Sequence, residues 1–293
     1  MTRLRIAALL AVPAALSLAA CSGGSSGVIG NPVGTGGAQS NIRFVNGAPD
    51  LGNVDIYFQA TGAAAPSSPA STTTANVAYA VVTPFVAESP TAGTVVVRAA
   101  GASASSAALD SLSCPIPQMG INAKYTVAIA GVGGGNHRCL LFQDFDYTTS
   151  PQYRVHDASL NAPAALAYAT ATTPTTPGTA VPYNGAQVAS RGGDAFTSAP
   201  FTQVQPAGPI GNPTNPTFVV GPNSGGATFV ATNTLAAQYL FASGSTTQPD
   251  STGALNYNST AGTSLFAIDC TSAPATGVQC NAGYALIGTF DTL

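Results

Sequence analysis

Cysteine and histidine are the residue types best able to do chemistry in this chain of 293 residues, which holds five of the first and two of the second. Setting Cys21 aside leaves Cys114, Cys139, Cys270 and Cys280, an even number that reads as two disulfides. The natural pairing is Cys114–Cys139 and Cys270–Cys280, each closing a short loop within one half of the chain. A metal site would need CxxC or His-x-His spacing, which the sequence lacks. His137 follows the glycine-rich run Gly131-Val132-Gly133-Gly134-Gly135 and reads as exposed; His156 reads as the entry to a turn. Either could serve as a general base beside Asp144 or Asp157, but no nucleophile accompanies them, so both read as hydrogen-bonded loop histidines. Gly23-Gly24-Ser25-Ser26-Gly27 matches GxSxG, yet a nucleophile elbow needs a strand before it and a helix after it. The Gly131–Gly135 run lacks the following helix that a phosphate cradle requires. Asp144-Phe145-Asp146 offers too few oxygens for calcium, and strand alternation places both carboxylates on one solvent face. The sequence therefore assigns no catalytic residue, no cofactor and no metal ligand.

The chemistry that is defined sits at Cys21. Arg3 and Arg5 form a positive start, Ile6 to Leu18 is apolar apart from Pro13, and Leu18-Ala19-Ala20-Cys21 places small residues before a cysteine. A charged start, an apolar core of about 7–15 residues and a small-residue site define a secretory signal. The run is shorter than the roughly 20 residues a membrane-spanning helix needs. Residues 1–20 are thus expected to be a signal peptide. The site resembles a lipobox, which implies diacylglycerol on the Cys21 sulfur and a bilayer as partner. Ser22 after the cysteine implies outer-membrane retention. Residues 21–40 are Gly/Ser-rich and are expected to form a flexible tether.

Composition fits export. Only 6% of residues are charged and the formal net charge is −3, against about 25% charged in ordinary soluble domains. Without a Lys/Arg cluster the chain lacks the cations that nucleic-acid binding needs.

The elements that must position these residues read as strands. Ile42–Val45, Val54–Phe58, Thr94–Ala99, Lys124–Ala130 and Cys139–Phe142 are apolar and β-branched, punctuated by Gly, Pro and Asn. The second half repeats the first. Tyr153–Ala158 parallels Ile42–Gly47, Ala164–Tyr168 parallels Val54–Phe58, Ser264–Cys270 parallels Tyr125–Gly131, and Tyr284–Asp291 parallels Cys139–Asp146. The expectation is all-β: two tandem antiparallel β-sandwiches, copy one over 41–150 and a diverged copy two over 151–293. Copy two carries long polar insertions near 170–216 and 243–262, which read as functional or irregular loops.

Ile42-Arg43-Phe44-Val45-Asn46-Gly47-Ala48-Pro49-Asp50, followed by Val54-Asp55-Ile56-Tyr57, resembles the opening of the family called domain of unknown function 4397. Tyr79 to Phe85, Gly93 to Arg98 and Tyr125 to Gly131 extend the resemblance. It implies exported proteins, often lipoproteins, with tandem immunoglobulin-like or transthyretin-like sandwiches. In copy two, Ser159-Leu160 replaces the family's Pro-containing turn and Leu166 stands in the place of Asp55. The functional expectation is a lipid-anchored, non-catalytic envelope protein that acts as a structural or interaction (binding or adhesion-type) module, for which any protein partner would belong to the envelope or cell surface. A substrate-binding lipoprotein of a transport system is the alternative, and an unrecognised hydrolase the less favoured one.

Overall fold

A computed structural model describes residues 37–66, 68–69, 74–144, 146, 152–163, 166–173, 176–177, 181–182, 202–204, 207–209, 217–222, 232–236, 240–242, 261–275 and 277–292. The signal segment, Cys21, most of the tether and most of the 170–216 and 243–262 insertions lie outside the described residues.

The fold is all-β. In the first half the strands are β1 (Ser40–Asn46), β2 (Val54–Ala60), β3 (Val86–Glu88), β4 (Gly93–Ala99), β5 (Ser113–Ile116), β6 (Lys124–Ala130) and β7 (Arg138–Asp144). They make a three-stranded sheet in the order β2-β4-β5 and a larger one in the order β3-β1-β6-β7, with β1 and β6 parallel. The second half contributes β8 (Gln152–Ala158), β9 (Leu166–Thr173), β10 (Thr176–Pro177), β11 (Val181–Pro182), β12 (Thr202–Val204), β13 (Ala207–Pro209), β14 (Thr217–Pro222), β15 (Asn233–Ala236), β16 (Phe241–Ala242), β17 (Ala261–Asp269), β18 (Cys280–Asn281) and β19 (Tyr284–Thr292). One of its sheets runs β13-β8-β17-β19-β16 and the other β10-β9-β14-β15. The exchange is not clean between halves, because β12 pairs in parallel with β7 and extends the first half's sheet.

Alternation explains the layering. Along β1, Ile42 and Phe44 join one core with Ile56, Val95 and Val97 of the small sheet. Val45 points the other way and packs with Ala128, Leu140, Phe142, Val155, Phe266 and Ile268. The sheets holding β1 and β8 are therefore inner layers with both faces covered, packed on each other, while the sheets holding β2 and β9 lie outside them. Burial patterns follow from that position: β6 is buried at six consecutive residues, whereas β4 alternates buried and partly buried positions as a sheet with one wet face must. Gly47 permits the approach of the inner sheets, since a Cβ there would sit 2.9 Å from the Ile129 carbonyl oxygen and 3.1 Å from Ile268 Cγ2. Ser113–Ile116 escaped the sequence reading because of Pro115. It is an edge strand, where a proline is tolerated.

The register also corrects the repeat. Arg43 faces Thr126 in the first half and Arg154 faces Ser264 in the second. Ser264 thus corresponds to Thr126, one residue away from the sequence alignment of Ser264 with Tyr125. By the same ladders Asp144 faces Lys124 and Asp291 faces Gly262, so Asp291 corresponds to Asp144 and not to Asp146. A one-residue slip exchanges the two faces of a strand, and here it decides which polar residues meet.

Candidate functional site

The correct register brings three equivalent pairs together between the inner sheets: Arg43 with Arg154, Thr126 with Ser264, and Asp144 with Asp291. All six are buried. Arg43 Nε donates to Thr126 Oγ1 at 2.8 Å, its Nη1 to Asp291 Oδ1 at 2.6 Å, and its Nη2 to Asp144 Oδ2 at 3.1 Å and to Ser264 Oγ at 2.8 Å. Thr126 and Ser264 donate in turn to the carboxylate of their own half. Arg154 stands 3.9 Å from both carboxylates. The chemistry is symmetric by sequence and asymmetric in use, with Arg43 as the bridge.

His156 completes the group. It lies within β8, wholly buried, and is not the turn-entry residue the sequence suggested. Its Nε2 meets Asp144 Oδ1 at 2.6 Å, its ring stacks on Phe266 at 4.4 Å, and Phe142 meets it edge-on at 5.1 Å. The Arg43 guanidinium lies 4.6 Å over the Phe85 ring. Burial pushes the His156 imidazole below its ordinary value, despite the neighbouring Asp144. A neutral ring leaves two guanidiniums balanced by two carboxylates within the group, as burial of charge demands. Burial alone would push Asp144 up; His156, Arg43 and Arg154 together hold it well below the usual carboxylate range. The expectation of a solvent-facing Asp144 beside Asp146 is therefore wrong. Asp144 is buried and bridged, while Asp146 is exposed and pairs with Lys124 at 2.6 Å.

The inner sheets are pinned a second time. The buried Asp269 carboxylate accepts the backbone N–H of Gly131 at 2.6 Å from the first half, and those of Leu160 and Asn161 at 3.1 and 2.9 Å from the second. Tyr79 donates to the Asp269 carbonyl at 2.7 Å. Ser159, where the resemblance leads one to expect a proline turn, donates to the same carboxylate. Asp55 accepts the N–H groups of Asn76 and Gly101, whereas Leu166 is core.

His137 is also buried, at 3% exposure, contrary to its expected exposure. Its Nδ1 lies 2.6 Å from Asp110 and its Nε2 2.8 Å from Asp50. The N–H of Gly133 reaches Asp50 and those of Gly135 and His137 reach Asp110. The His137 hydrogen bond is the chief cause that lowers the Asp110 carboxyl. Burial pushes Asp50 up, but His137 and backbone N–H groups overcome it and leave the group lowered. Both His137 ring nitrogens are taken up by carboxylates, so neither is turned toward a metal or a substrate. The glycine-rich run is thus a carboxylate-bound loop, and Gly131, at φ +115°, is required where a Cβ would lie 2.6 Å from the Asn136 carbonyl.

The four cysteines pair as read from sequence. Cys114–Cys139 joins β5 to β7 across the first sandwich, and Cys270–Cys280 joins the end of β17 to β18. Among the described residues no group of three or more His, Cys, Asp or Glu could hold a metal ion. The sequence missed Arg43, Thr126, Arg154, Ser264, Asp291, Asp50 and Asp110. The signal was present for the arginines, which stand at matching places between apolar neighbours in a chain with few charges.

The segments that carried the resemblance form β1 with the Asn46–Asp50 crossing, β2, the Tyr79–Phe85 stretch, β4 and β6. Residues 40–168 match the family described as a domain of unknown function, DUF4397. The DUF4397 match runs through β7 and β8 into β9, so it contains Arg43, Asp144, Arg154 and His156 but neither Ser264 nor Asp291. No curated protein matches the chain.

Proposed function

We propose that this chain is an exported lipoprotein of the cell envelope, held on the outer membrane by acylated Cys21, whose tandem sandwich serves as a non-catalytic structural or binding module. The observation that carries the reading is the cysteine pattern. Four of the five cysteines pair with each other, as suits an oxidising compartment, and the fifth stands directly after the apolar signal and small residues. The acids and histidines that could serve catalysis are engaged inside the fold, which favours a module over a hydrolase. A transport-type binding protein would need a cleft between its sandwiches. Here the shared face is filled by Arg43, Phe142, His156 and Phe266.

The test is metabolic labelling with an alkyne fatty acid in cells making the wild-type chain or Cys21→Ala. Label and membrane fractionation are expected for the first and absent for the second, with the labelled protein in the outer-membrane band of a sucrose gradient. A Cys21→Ala protein that keeps the label would overturn the assignment of the anchor.

A further inference from the structure

We propose that the turn carrying Ile121 is the membrane-facing tip of the fold and that Ile121 enters the lipid headgroup–acyl boundary. Among the described residues, Ile121 is the large apolar side chain left exposed, at 64%. A single exposed apolar residue is ordinary on a surface; its address is not. The backbone N–H of Asn122 donates to the Gln39 carbonyl at 2.7 Å, the Asn41 N–H to the Ala123 carbonyl at 2.9 Å, and the Ser40 hydroxyl to the Gly120 carbonyl at 2.6 Å. The turn is therefore fastened to the point at which the chain arrives from Cys21. A Gly/Ser-rich segment the length of residues 22–39 has a typical end-to-end distance of roughly 25 Å. That holds this end of the molecule close to any bilayer in which Cys21 is embedded.

The tip is built to present its side chain. Met119 is buried in the first-half core, the Gly120 N–H donates to the Tyr125 hydroxyl at 2.7 Å, and Gln118 donates to the Pro90 carbonyl. Asn122 takes φ 59°, a conformation asparagine tolerates, which tightens the turn. Residues 89–92 and 117–123 carry no charge. On the strands that flank the turn, Lys124 follows it directly and pairs with the exposed Asp146, and Glu88 stands opposite Ser40. An uncharged, rigid tip with one isoleucine fits a lipid surface, and a tethered copy needs only weak insertion because its local concentration is already high. The His137 loop lies at the opposite end of β6, roughly 20 Å away.

The inference rests on the lipid-anchor reading, and the experiment separates the two. The chain has no tryptophan, so Ile121→Trp and Gly134→Trp each introduce a lone indole. A Cβ at Gly134 meets nothing within 4 Å. Each lipidated protein is reconstituted into phosphatidylethanolamine–phosphatidylglycerol vesicles with and without brominated acyl chains. Emission of the Ile121→Trp protein is expected to shift blue in vesicles and to be quenched several-fold more than that of the Gly134→Trp protein. Equal quenching in protein whose acylation is verified by mass overturns the proposal and leaves the anchor intact. Absence of acylation overturns the anchor itself. A blue shift that grows with protein concentration in lipid-free solution assigns the tip to a second copy and also overturns the proposal.

Discussion

Arg43 donates to oxygens on four strands, two from each half of the molecule. Removing one partner of such a group leaves an uncompensated buried charge, which typically costs about 3–5 kcal/mol. Arg43→Met is therefore expected to destabilise by that amount in urea unfolding, and adding Asp144→Asn and Asp291→Asn is expected to restore part of the loss. The acids and His156 also set a pH profile. Asp144 is lowered in the folded state, so its contribution is present above the ordinary carboxylate range and is lost as pH falls through it. His156 is a base held below its ordinary value of 6.5, so the unfolded chain takes up the proton first and stability falls as pH drops below 6.5. Glu88 acts in the other sense. Burial raises it from 4.5 to about 7, so the folded state keeps its proton longer and stability declines as pH rises from 4.5 to about 7. Glu88→Gln is expected to stabilise by about 1–3 kcal/mol at pH 8 and by little at pH 4, read as a shift in urea midpoint. An unchanged pH 8 midpoint would contradict the burial of that carboxyl. At this scale the sequence was legible where covalent bonding governs, as in the cysteine pairs. It was opaque at Asp144 and His137, because exposure depends on which sheet covers a face, and no local pattern carries that information.

Strands were the most readable elements. Val54–Ala60, Gly93–Ala99 and Lys124–Ala130 follow from β-branched runs bounded by Gly, Asn and Pro. Val86–Glu88 and Ser113–Ile116 were not readable, being short edge strands whose pairing is dictated by their neighbours. The repeat was visible but misregistered by one residue at β17, because small and apolar residues occur on both faces of an inner strand and supply little phase. Two of these elements are held by disulfides closing separations of 25 and 10 residues. In the chain-entropy description those loops are worth about 3.5 and 2.7 kcal/mol. Paired Cys→Ser replacement at 114 and 139 is accordingly expected to cost more than at 270 and 280, the more so because Cys139 is fully buried. Equal midpoints for the two variants would show that strain or residual structure outweighs loop length.

Across the whole molecule, one apolar cluster takes side chains from β1, β6 and β7 together with β8, β14, β17 and β19. The two sandwiches consequently share a core, and their denaturation is expected to be cooperative. Calorimetry should give one transition with calorimetric and van't Hoff enthalpies in agreement, and Arg43→Met should lower that transition without splitting it. Two transitions in the wild-type chain would mean that the inner sheets contribute little to each other. The reach of Arg43 to Asp291 has a further consequence for descent. A guanidinium from one repeat answers a carboxylate from the other, so neither repeat can drift at these positions alone. The two halves have ceased to be interchangeable parts. A change in one is inherited as a demand on the other, and a third repeat appended to the chain would find both inner faces already taken.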